Sequence, residues 1–425
     1  MQPIPKILSD ITKSVSASGV QFFITLITTP LMTRLYSPDA YATFGIVNTT
    51  ATLMVAVGCA SLPSAYPLEK DAYQRTALIR AMLLLLGSLV LLGAITATVL
   101  IITDWFHVSI AALLLLPVLV LTFGIRQIMV AVATAQANFS AMALGQVLEP
   151  ACSRGITIAL GAALGGHPAF ILASVATGHV ATTITITRMA ARGVWKQWRA
   201  LFTCSIGLRA TLRRSLDFVI YNTFSQQAQP LVMLGLQLTI AALFSKHMAG
   251  QYMLAVSILT LPVSLVAMTS SSVVYRHFIE VERTNPAMLS LHLQRSLVRY
   301  LLVGTLIMMP VVLYSETIFT VAFGQTWHEA GKIAGILGFA YIITFTLMGI
   351  QSIFRVTRTL KIQFWWEVTS CAALLGIAVL CFNRMEFYVA IACLSALWFV
   401  RNALLLCIGV RVASRHRVVT IWHTP

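Results

Sequence analysis

The sequence is poor in charged residues, and above all in acidic ones. Only 10% of its 425 residues are charged, with 13 Asp and Glu against 29 Lys and Arg, whereas 58% are hydrophobic. The mean hydropathy is +0.86. A water-soluble domain of this composition would leave far more apolar surface in water than folded domains tolerate. The composition therefore excludes a soluble globular protein.

Sequence signatures of catalysis and of metal or cofactor binding are also missing. There is no Walker A loop, no HExxH, no GxSxG, and no connecting segment longer than roughly 30 residues that would hold an external catalytic domain. The seven cysteines are scattered, mostly in apolar runs without CxxC spacing, and are interpreted as small buried hydrophobic residues. The N-terminal residues lack the pattern of a cleaved signal peptide. We therefore expect neither an enzyme nor a bound cofactor or metal.

Long apolar runs dominate the chain. Segments such as 77–102 and 386–410 are long enough to cross about 30 Å of hydrocarbon as α-helices. Backbone amides in lipid must be bonded within their own segment, which favours helices over strands. We predict an all-α integral membrane protein with about twelve spans. The spans cover about 14–34, 42–66, 77–103, 108–134, 141–165, 168–188, 217–243, 249–275, 296–320, 330–353, 361–382 and 386–410.

The distribution of Lys and Arg among the connectors predicts the orientation of these spans. Connectors on one side, together with both termini, hold roughly 22 basic residues, and those on the other side hold roughly 4. Basic residues are enriched on the cytoplasmic side of membrane proteins. Both termini are therefore expected in the cytoplasm, and the net charge of +16 needs no nucleic-acid partner to explain it.

Two connectors far apart in the chain repeat one pattern. Segments 33–44 and 241–252 carry a leucine, an aromatic residue, a serine and a second aromatic residue at the same relative positions, and polar positions in the flanking spans match at the same offset. An even number of spans per half gives both halves one orientation, so the repeat is parallel. We predict two six-helix lobes, 1–188 and 217–425, which face each other across a central space. An amphipathic cytoplasmic connector, 189–216, joins the lobes, and the second ends in a short basic cytoplasmic tail.

Polar side chains recur along one face of spans 1, 2, 7 and 8. In span 1 they follow helical spacing, at i, i+4, i+7 and i+11 from Ser14. Amides facing lipid unbonded would be destabilised by on the order of 1 to several kcal/mol each, so these faces contact protein or water. Hydrogen bonding between helices is one interpretation, and a polar lumen between the lobes is the other. The candidate lumen residues are Ser18, Gln21, Thr25, Asn48, Asn222, Gln226, Gln229 and Thr260.

Three ionisable residues lie well inside predicted spans 4 and 5. They are Arg126 in span 4 and Glu149 and Arg154 in span 5, and such residues are rare in membranes and commonly functional. Glu149 can pair with Arg126 on the neighbouring helix, which leaves Arg154 free. The pair either locks the two spans together or takes part in function, so Glu149 is a coupling or a structural acid. The arginines match the geometry of a phosphate-bearing ligand.

The first connector and span 5 also carry a family pattern. The stretch TPLMTRLYSPDAYATFGIV contains Pro30, Arg34, Ser37, Pro38, Asp39, Tyr41 and Phe44, with Ala42 where glycine is typical. The stretch FSAMALGQVLEPACSRG contains Gln146 and Arg154. On these residues the chain resembles the Wzx-type O-antigen and exopolysaccharide flippases of the multidrug/oligosaccharidyl-lipid/polysaccharide exporter superfamily.

The resemblance implies twelve spans in two lobes and a lumen formed by spans 1, 2, 7 and 8. It implies alternating access that moves an undecaprenyl-diphosphate-linked oligosaccharide across the bacterial inner membrane for O-antigen, capsule or exopolysaccharide biosynthesis. Arg34, Arg126 and Arg154 are then the candidate contacts for the diphosphate. Expected partners are the lipid-linked oligosaccharide, membrane lipids, a coupling proton or sodium ion, and glycan polymerases. Span 7 lacks the charged residue often expected midway along it, which argues against ion coupling there.

Three other functions are compatible with a polytopic helical protein. A multidrug/cation antiporter of the same superfamily would favour acidic residues in the lumen helices, and these are scarce. A membrane glycan polymerase or ligase would need a large external loop with basic catalytic residues. A scaffold without transport would pack its polar faces dry.

Overall fold

The computed structural model describes residues 4–59, 62–69, 71–103, 108–190, 216–285, 288–357 and 359–421. In these ranges the chain forms helices and no strands. Ten of the helices are long and apolar enough to cross a membrane. Nearly all of the connector predicted at 189–216 lies outside the described residues, as do both ends of the chain.

Twelve long helices follow the order of the twelve predicted spans within the described ranges. Two of them, α1 and α7, complete the count beyond the ten apolar helices. A short helix, Ile110–Leu114, precedes the fourth. The twelve are α1 (Ile4–Leu35), α2 (Pro38–Gly58), α3 (Ala72–Thr103), α4 (Leu116–Ala135), α5 (Phe139–Leu164), α6 (Pro168–Ala190), α7 (Leu216–Leu243), α8 (Lys246–Thr284), α9 (Leu289–Phe323), α10 (His328–Ile350), α11 (Leu360–Arg384) and α12 (Phe387–Ile421).

The predicted end of span 2 is wrong. Helix α2 begins before 42, at Pro38, and ends before 66, at Gly58. Pro63 has no backbone N–H with which to continue the helical ladder, so the Cys59 carbonyl accepts from Leu62 N instead, at 3.0 Å. A separate short helix, Leu62–Ala65, follows.

Helix α8 is longer than the predicted span 249–275. It continues to Thr284, through polar residues at which the apolar run stops. Backbone hydrogen bonding inside a helix does not require lipid around it, so hydropathy underestimates a helix that continues beyond the membrane.

The chain divides into two compact units, an N-terminal unit (Met1–Leu234) and a C-terminal unit (Gly235–Pro425). In the N-terminal unit α5 packs against α1 and α6, and α4 packs against α2, α3 and α6. Met82, Leu116 and Leu119 are fully buried in the apolar core that α2, α3 and α4 share. Helix α5 is therefore the element that links α1 to α6.

In the C-terminal unit α10 is the central helix and packs against α8, α9 and α12. Gly331, Gly335 and Gly338 lie along its contact with α9, where an added Cβ would collide with Ser315 or Val312 of that helix or their neighbours. Small residues let membrane helices approach closely. Trp327 and Phe345 are completely buried beside this contact.

Large apolar side chains point outward along α3 and α9, the third helix of each predicted lobe. In water such continuous apolar surface would be unfavourable, whereas hydrocarbon accommodates it. This apolar surface is therefore the one expected of a multi-pass membrane protein. The outward-facing side chains include Leu84, Leu91, Ile95 and Ile102 of α3, and Leu302, Leu306, Leu313 and Val321 of α9.

The two repeated connectors are built with the same helix cap. Ser37 Oγ accepts from Ala40 N at 3.3 Å at the start of α2, and Ser245 Oγ accepts from Met248 N at 3.1 Å at the start of α8. A serine at this position satisfies a backbone N–H that has no partner within the helix. The sequence repeat is thus a repeat of local structure.

Candidate functional site

The polar face of α1 lies against α5. Gln146 of α5 donates through Nε2 to Ser18 Oγ at 3.2 Å and to Gln21 Oε1 at 3.0 Å. Ser18 is buried and Gln21 is partly exposed. This part of the predicted stripe therefore meets a neighbouring helix of its own unit, and span 5 contributes a polar residue to it.

Arg154 extends the same face further along α5. Its Nη1 donates to Thr29 Oγ1 at 3.1 Å and to Thr28 Oγ1 at 3.4 Å, and lies 3.5 Å from Met32 Sδ. Both threonine hydroxyls donate to carbonyls of α1, those of Ile24 and Thr25, so their oxygens are free to accept from Arg154.

Within the described residues, no carboxylate neutralises the charge of Arg154. Among the described residues no Asp or Glu lies within ion-pair distance of it, and its contacts there use Nη1 alone. Arg154 is partly buried, about 22 Å of helix rise from the start of α5. With respect to the described part of the chain, Nε and Nη2 thus form an unengaged pair of donors in the membrane-spanning region.

The other side of α5 holds a compact charged cluster. The predicted Arg126–Glu149 pair is present, with Arg126 Nε 2.7 Å from Glu149 Oε2. His179 of α6 completes the group, with Nε2 3.6 Å from Glu149 Oε1. The side chains of Arg126 and Glu149 are 22% and 24% exposed, and that of His179 is 7% exposed.

Small residues hold α5 and α6 together at this cluster. An added Cβ at Gly178 would lie 2.8 Å from the Glu149 carbonyl oxygen, and one at Gly145 would lie 2.9 Å from Thr182 Cγ2. Thr182 also donates to the Gly145 carbonyl at 3.0 Å. The close helix contact fixes His179 beside Glu149.

The connector before α2 also packs on α5. Tyr36 is 2% exposed, and its hydroxyl donates to the Thr157 carbonyl at 2.8 Å. Burial raises the pKa of this hydroxyl, so it stays protonated and donates. Gly161 makes room for the ring, since an added Cβ would lie 2.8 Å from Tyr36 Cε2.

The remaining candidates of the first two spans lie in varied surroundings. Thr25 and Asn48 are partly buried, and the Asn48 carbonyl accepts from Thr52 Oγ1 at 2.9 Å. Arg34 is exposed in the last turn of α1. None of the three contacts of Arg154 involves the side chains of these residues.

The candidates of spans 7 and 8 are described only in part. The side chains of Asn222 and Gln226 lie outside the described residues, whereas Gln229 is partly buried in α7. Thr260 is exposed on α8, where its hydroxyl donates to the Val256 carbonyl at 2.7 Å and lies 3.4 Å from the Tyr341 hydroxyl.

Sequence reasoning missed His179 as a member of the charged cluster. It stands alone in the apolar span 6, and nothing in its local sequence connects it to Glu149, which is 30 positions earlier. The signal that was available is a histidine within a membrane span, which is uncommon in itself.

The chain matches the polysaccharide biosynthesis protein family over residues 31–332, which is more than half of its length. The chain belongs to this family. Among curated proteins, no sequence match is found.

Solved structures of similar fold are membrane transporters. The lipid II flippase MurJ, in an inward closed conformation, has a TM-score of 0.69 at 14% identity, over 95% of this chain and 89% of that one. A multidrug resistance MATE family transporter of the MOP superfamily, inward-facing, has a TM-score of 0.65 at 12% identity, over 96% and 99%. A MOP superfamily transporter from Pyrococcus furiosus has a TM-score of 0.54 at 13% identity, over 98% and 96%.

These comparisons establish the class of this polysaccharide biosynthesis family member. Its fold is that of MOP superfamily transporters, in agreement with the predicted all-α membrane architecture and the resemblance described above. The proteins that it resembles are transporters and a flippase, not enzymes. The protein is a multi-pass membrane protein of the polysaccharide biosynthesis family, with the fold of these transporters.

Proposed function

We propose that this protein is a flippase for an undecaprenyl-diphosphate-linked oligosaccharide in O-antigen, capsule or exopolysaccharide biosynthesis. In this mechanism the lipid tail stays in the bilayer while the diphosphate and sugars cross by alternating access. No covalent chemistry is needed, because transport follows from differential binding of the substrate in two states.

Arg154 carries this proposal. It is a membrane-embedded cation with no carboxylate partner in the described chain and with two guanidinium nitrogens unengaged. An arginine fork is suited to bidentate contact with phosphate oxygens. A lipid-linked diphosphate supplies both negative charge and a position within the membrane, which together match this site.

The neutral polar residues beside Arg154 suit the sugars that follow the diphosphate. Gln146, Ser18 and Gln21 present amide and hydroxyl groups on the same α1–α5 face. Sugar hydroxyls both donate and accept hydrogen bonds, as these groups do. We extend the site to the other predicted lumen residues, Thr25, Asn48, Asn222, Gln226, Gln229 and Thr260, and we assign Arg34 and Arg126 as further diphosphate contacts.

The location that we propose is the bacterial inner membrane, with both termini in the cytoplasm. The asymmetry of Lys and Arg among the connectors supports this orientation. We further propose lobes at 1–188 and 217–425, joined by the connector 189–216, a coupling proton or sodium ion, and glycan polymerases as downstream partners.

Export of surface glycan in cells tests the proposal. In a strain whose own copy is deleted, the Arg154→Ala variant is expected to lower surface glycan at least tenfold at a normal membrane level of the protein. Arg154→Lys, which keeps the charge but not the fork, is expected to restore part of the export. Arg299→Ala, an exposed arginine of α9, is the matched control and is expected to export normally.

Normal export by Arg154→Ala would remove Arg154 from the substrate site. A scaffold function without transport is tested separately with the Gln229→Cys variant. If position 229 lines a lumen, this cysteine reacts with a water-soluble maleimide in at least one state. Complete protection of this cysteine under all conditions would favour the scaffold.

A further inference from the structure

The proposed flippase mechanism gives no role to the Glu149–His179 pair. We propose that these two residues form a proton-binding site between α5 and α6, and that the ion whose gradient drives transport is a proton taken up there. This inference rests on the proposed flippase function and selects one of the two coupling ions that the sequence left open.

The acceptor oxygens near the two ring nitrogens of His179 explain why a second proton binds there. On one side of the ring, Nδ1 lies 3.5 Å from Thr122 Oγ1, whose own hydrogen is donated to the Val118 carbonyl at 2.9 Å. On the other side, Nε2 lies 3.6 Å from Glu149 Oε1. Acceptors therefore lie at both ends of the ring.

A neutral imidazole carries one N–H and can serve only one of these acceptors. With the hydrogen on Nδ1, the lone pair of Nε2 faces a carboxylate oxygen. A second proton makes both nitrogens donors and places an imidazolium beside the carboxylate, which favours the charged ring, whereas burial and the guanidinium of Arg126 oppose it.

The rest of the cluster prevents this carboxylate from being an isolated charge. Arg126 binds the other oxygen, Oε2, at 2.7 Å, which keeps Glu149 ionised when His179 is neutral. The Phe123 ring contacts both partners, with Arg126 Cζ 5.6 Å from its centroid and the His179 ring 5.3 Å from it. An imidazolium gains from this aromatic face as the guanidinium does.

The charged groups that face His179 come from two of the helices packed against α6. They are Arg126 of α4 and Glu149 of α5. The short helix Ile110–Leu114 has no ionisable residue. In α2 the ionisable residues are Asp39 and Tyr41, both in its first turn. On α5, Arg154 is turned to α1, and Cys152 is the remaining titratable side chain.

The chemistry of the pair favours a proton over a metal cation. Hard cations are held by several oxygen ligands, whereas this site offers one carboxylate oxygen opposite an imidazole nitrogen. A proton needs only the gap between Nε2 and Oε1. The carboxylate is more exposed than the ring, so the proton reaches the ring through Glu149.

Helix α5 connects the proton site to the substrate site. Glu149 is flanked by Pro150 inside the helix, which cannot donate to the Gln146 carbonyl and so weakens the ladder at that point. Gln146 and Arg154, on either side of this proline, contact α1. Protonation of His179 draws Glu149 toward α6 and acts on the segment of α5 that carries both substrate contacts.

The test follows the conformation of the full chain as a function of pH. In liposomes, maleimide labelling of Thr25→Cys, in a background without native cysteines, is measured between pH 5.5 and pH 8.5. Because maleimide reacts with the thiolate, each rate is divided by that of a free thiol at the same pH, and we expect a several-fold change in this ratio with a single-proton midpoint. His179→Gln and Glu149→Gln are expected to abolish the change, and His167→Gln, an exposed histidine of the same unit, is expected to retain it.

Thr122→Val gives a second, milder variant of nearly the same shape. Removing the acceptor at Nδ1 disfavours the doubly protonated ring, whereas the neutral ring can place its hydrogen on Nε2. The midpoint is therefore expected to shift to lower pH without loss of the response. Should His179→Gln fail to fold, this shift decides the proposal, and an unshifted midpoint overturns it.

Two results would overturn the proton site directly, namely a pH response that persists in His179→Gln, or no response in the parent protein. Binding of undecaprenyl diphosphate to purified protein is measured in parallel. If the probe binds and the pH response is absent, the proton site alone is wrong. If the probe does not bind, the flippase function itself fails.

Discussion

The two sides of helix α5 differ in the partners of their arginines. On the α4 and α6 side, Arg126 is paired with Glu149 at 2.7 Å, and the carboxylate also faces His179. On the α1 side, Arg154 contacts only two hydroxyls and a thioether among the described residues. The first arginine has its counter-ion within the protein, whereas the second has none in the described ranges.

This difference distinguishes an arginine whose charge is already paired, Arg126, from one whose charge is open to a ligand, Arg154. A buried charge left without its partner is strongly unfavourable, so the Arg126–Glu149 pair must be kept or lost as a unit. Arg154 carries its charge with only neutral partners in the described part of the protein. An anionic substrate supplies the missing charge, which makes Arg154 the side chain whose loss affects binding more than folding.

A third arginine, Arg401, also has no carboxylate partner among the described residues, but its nitrogens are engaged. Arg401 of α12 donates through Nε to Ser370 Oγ at 2.8 Å and through Nη1 to Asn402 Oδ1 at 3.1 Å, and Nη2 lies 3.6 Å from Cys371 Sγ. All three of its nitrogens are engaged with neutral partners. Arg401 therefore serves as a control for Arg154.

The largest expected effect is a loss of stability when the Arg126–Glu149 ion pair is broken. Arg126→Ala leaves Glu149 uncompensated and is expected to lower the free energy of unfolding by about 3–5 kcal/mol. Arg154→Ala removes an unpaired charge and is expected to leave stability unchanged or slightly higher. Thermal unfolding of both purified variants in one detergent checks this, and equal destabilisation of the two would contradict the comparison.

The second effect concerns the contact between α5 and α6. Gly178→Ala places a methyl group against the backbone carbonyl of Glu149 and is expected to destabilise the protein by about 1–3 kcal/mol, as overpacked sites do. It also moves His179 away from Glu149 and weakens the pH response. Gly155→Ala on α5, with open space around it, is the matched control and should be neutral or stabilising. Identical melting curves for the two alanine variants would argue against a tight α5–α6 contact.

The smallest effect is on the α1 side. Tyr36→Phe removes the hydrogen bond to the Thr157 carbonyl and keeps the ring against Gly161, so a loss of about 1 kcal/mol is expected. Glycan export per folded molecule should stay at the parent level, since Tyr36 positions the connector and is not a substrate contact. A large export defect in a stable Tyr36→Phe protein would assign this residue to the site.

Hydropathy and charge predicted most of the fold. The order of the twelve long helices follows the predicted spans, because apolar length and the alternation of basic connectors are encoded locally. The serine caps at 37 and 245 were likewise visible as a sequence repeat. The end of α2 was not, since it depends on the missing N–H of Pro63 and not on hydropathy.

The candidate site was predictable only where one residue type restricts its partners. Glu149 and Arg126 were paired from sequence because a carboxylate in a membrane requires a cation, and few were within reach. The contacts of Gln146 with Ser18 and of His179 with Glu149 join residues far apart in sequence, and neutral polar groups and histidines accept many partners. Helix packing, set by residues such as Gly145 and Gly178, decides between those partners.

Binding of undecaprenyl diphosphate to the purified full-length protein tests the central claim most directly. We predict that Arg154→Gln weakens binding at least tenfold relative to the parent protein, and that Arg401→Gln, which removes an equally membrane-embedded arginine, leaves the affinity within twofold. Equal affinities of the parent and Arg154→Gln proteins, or an equal loss in both variants, would contradict the assignment of Arg154 to the substrate.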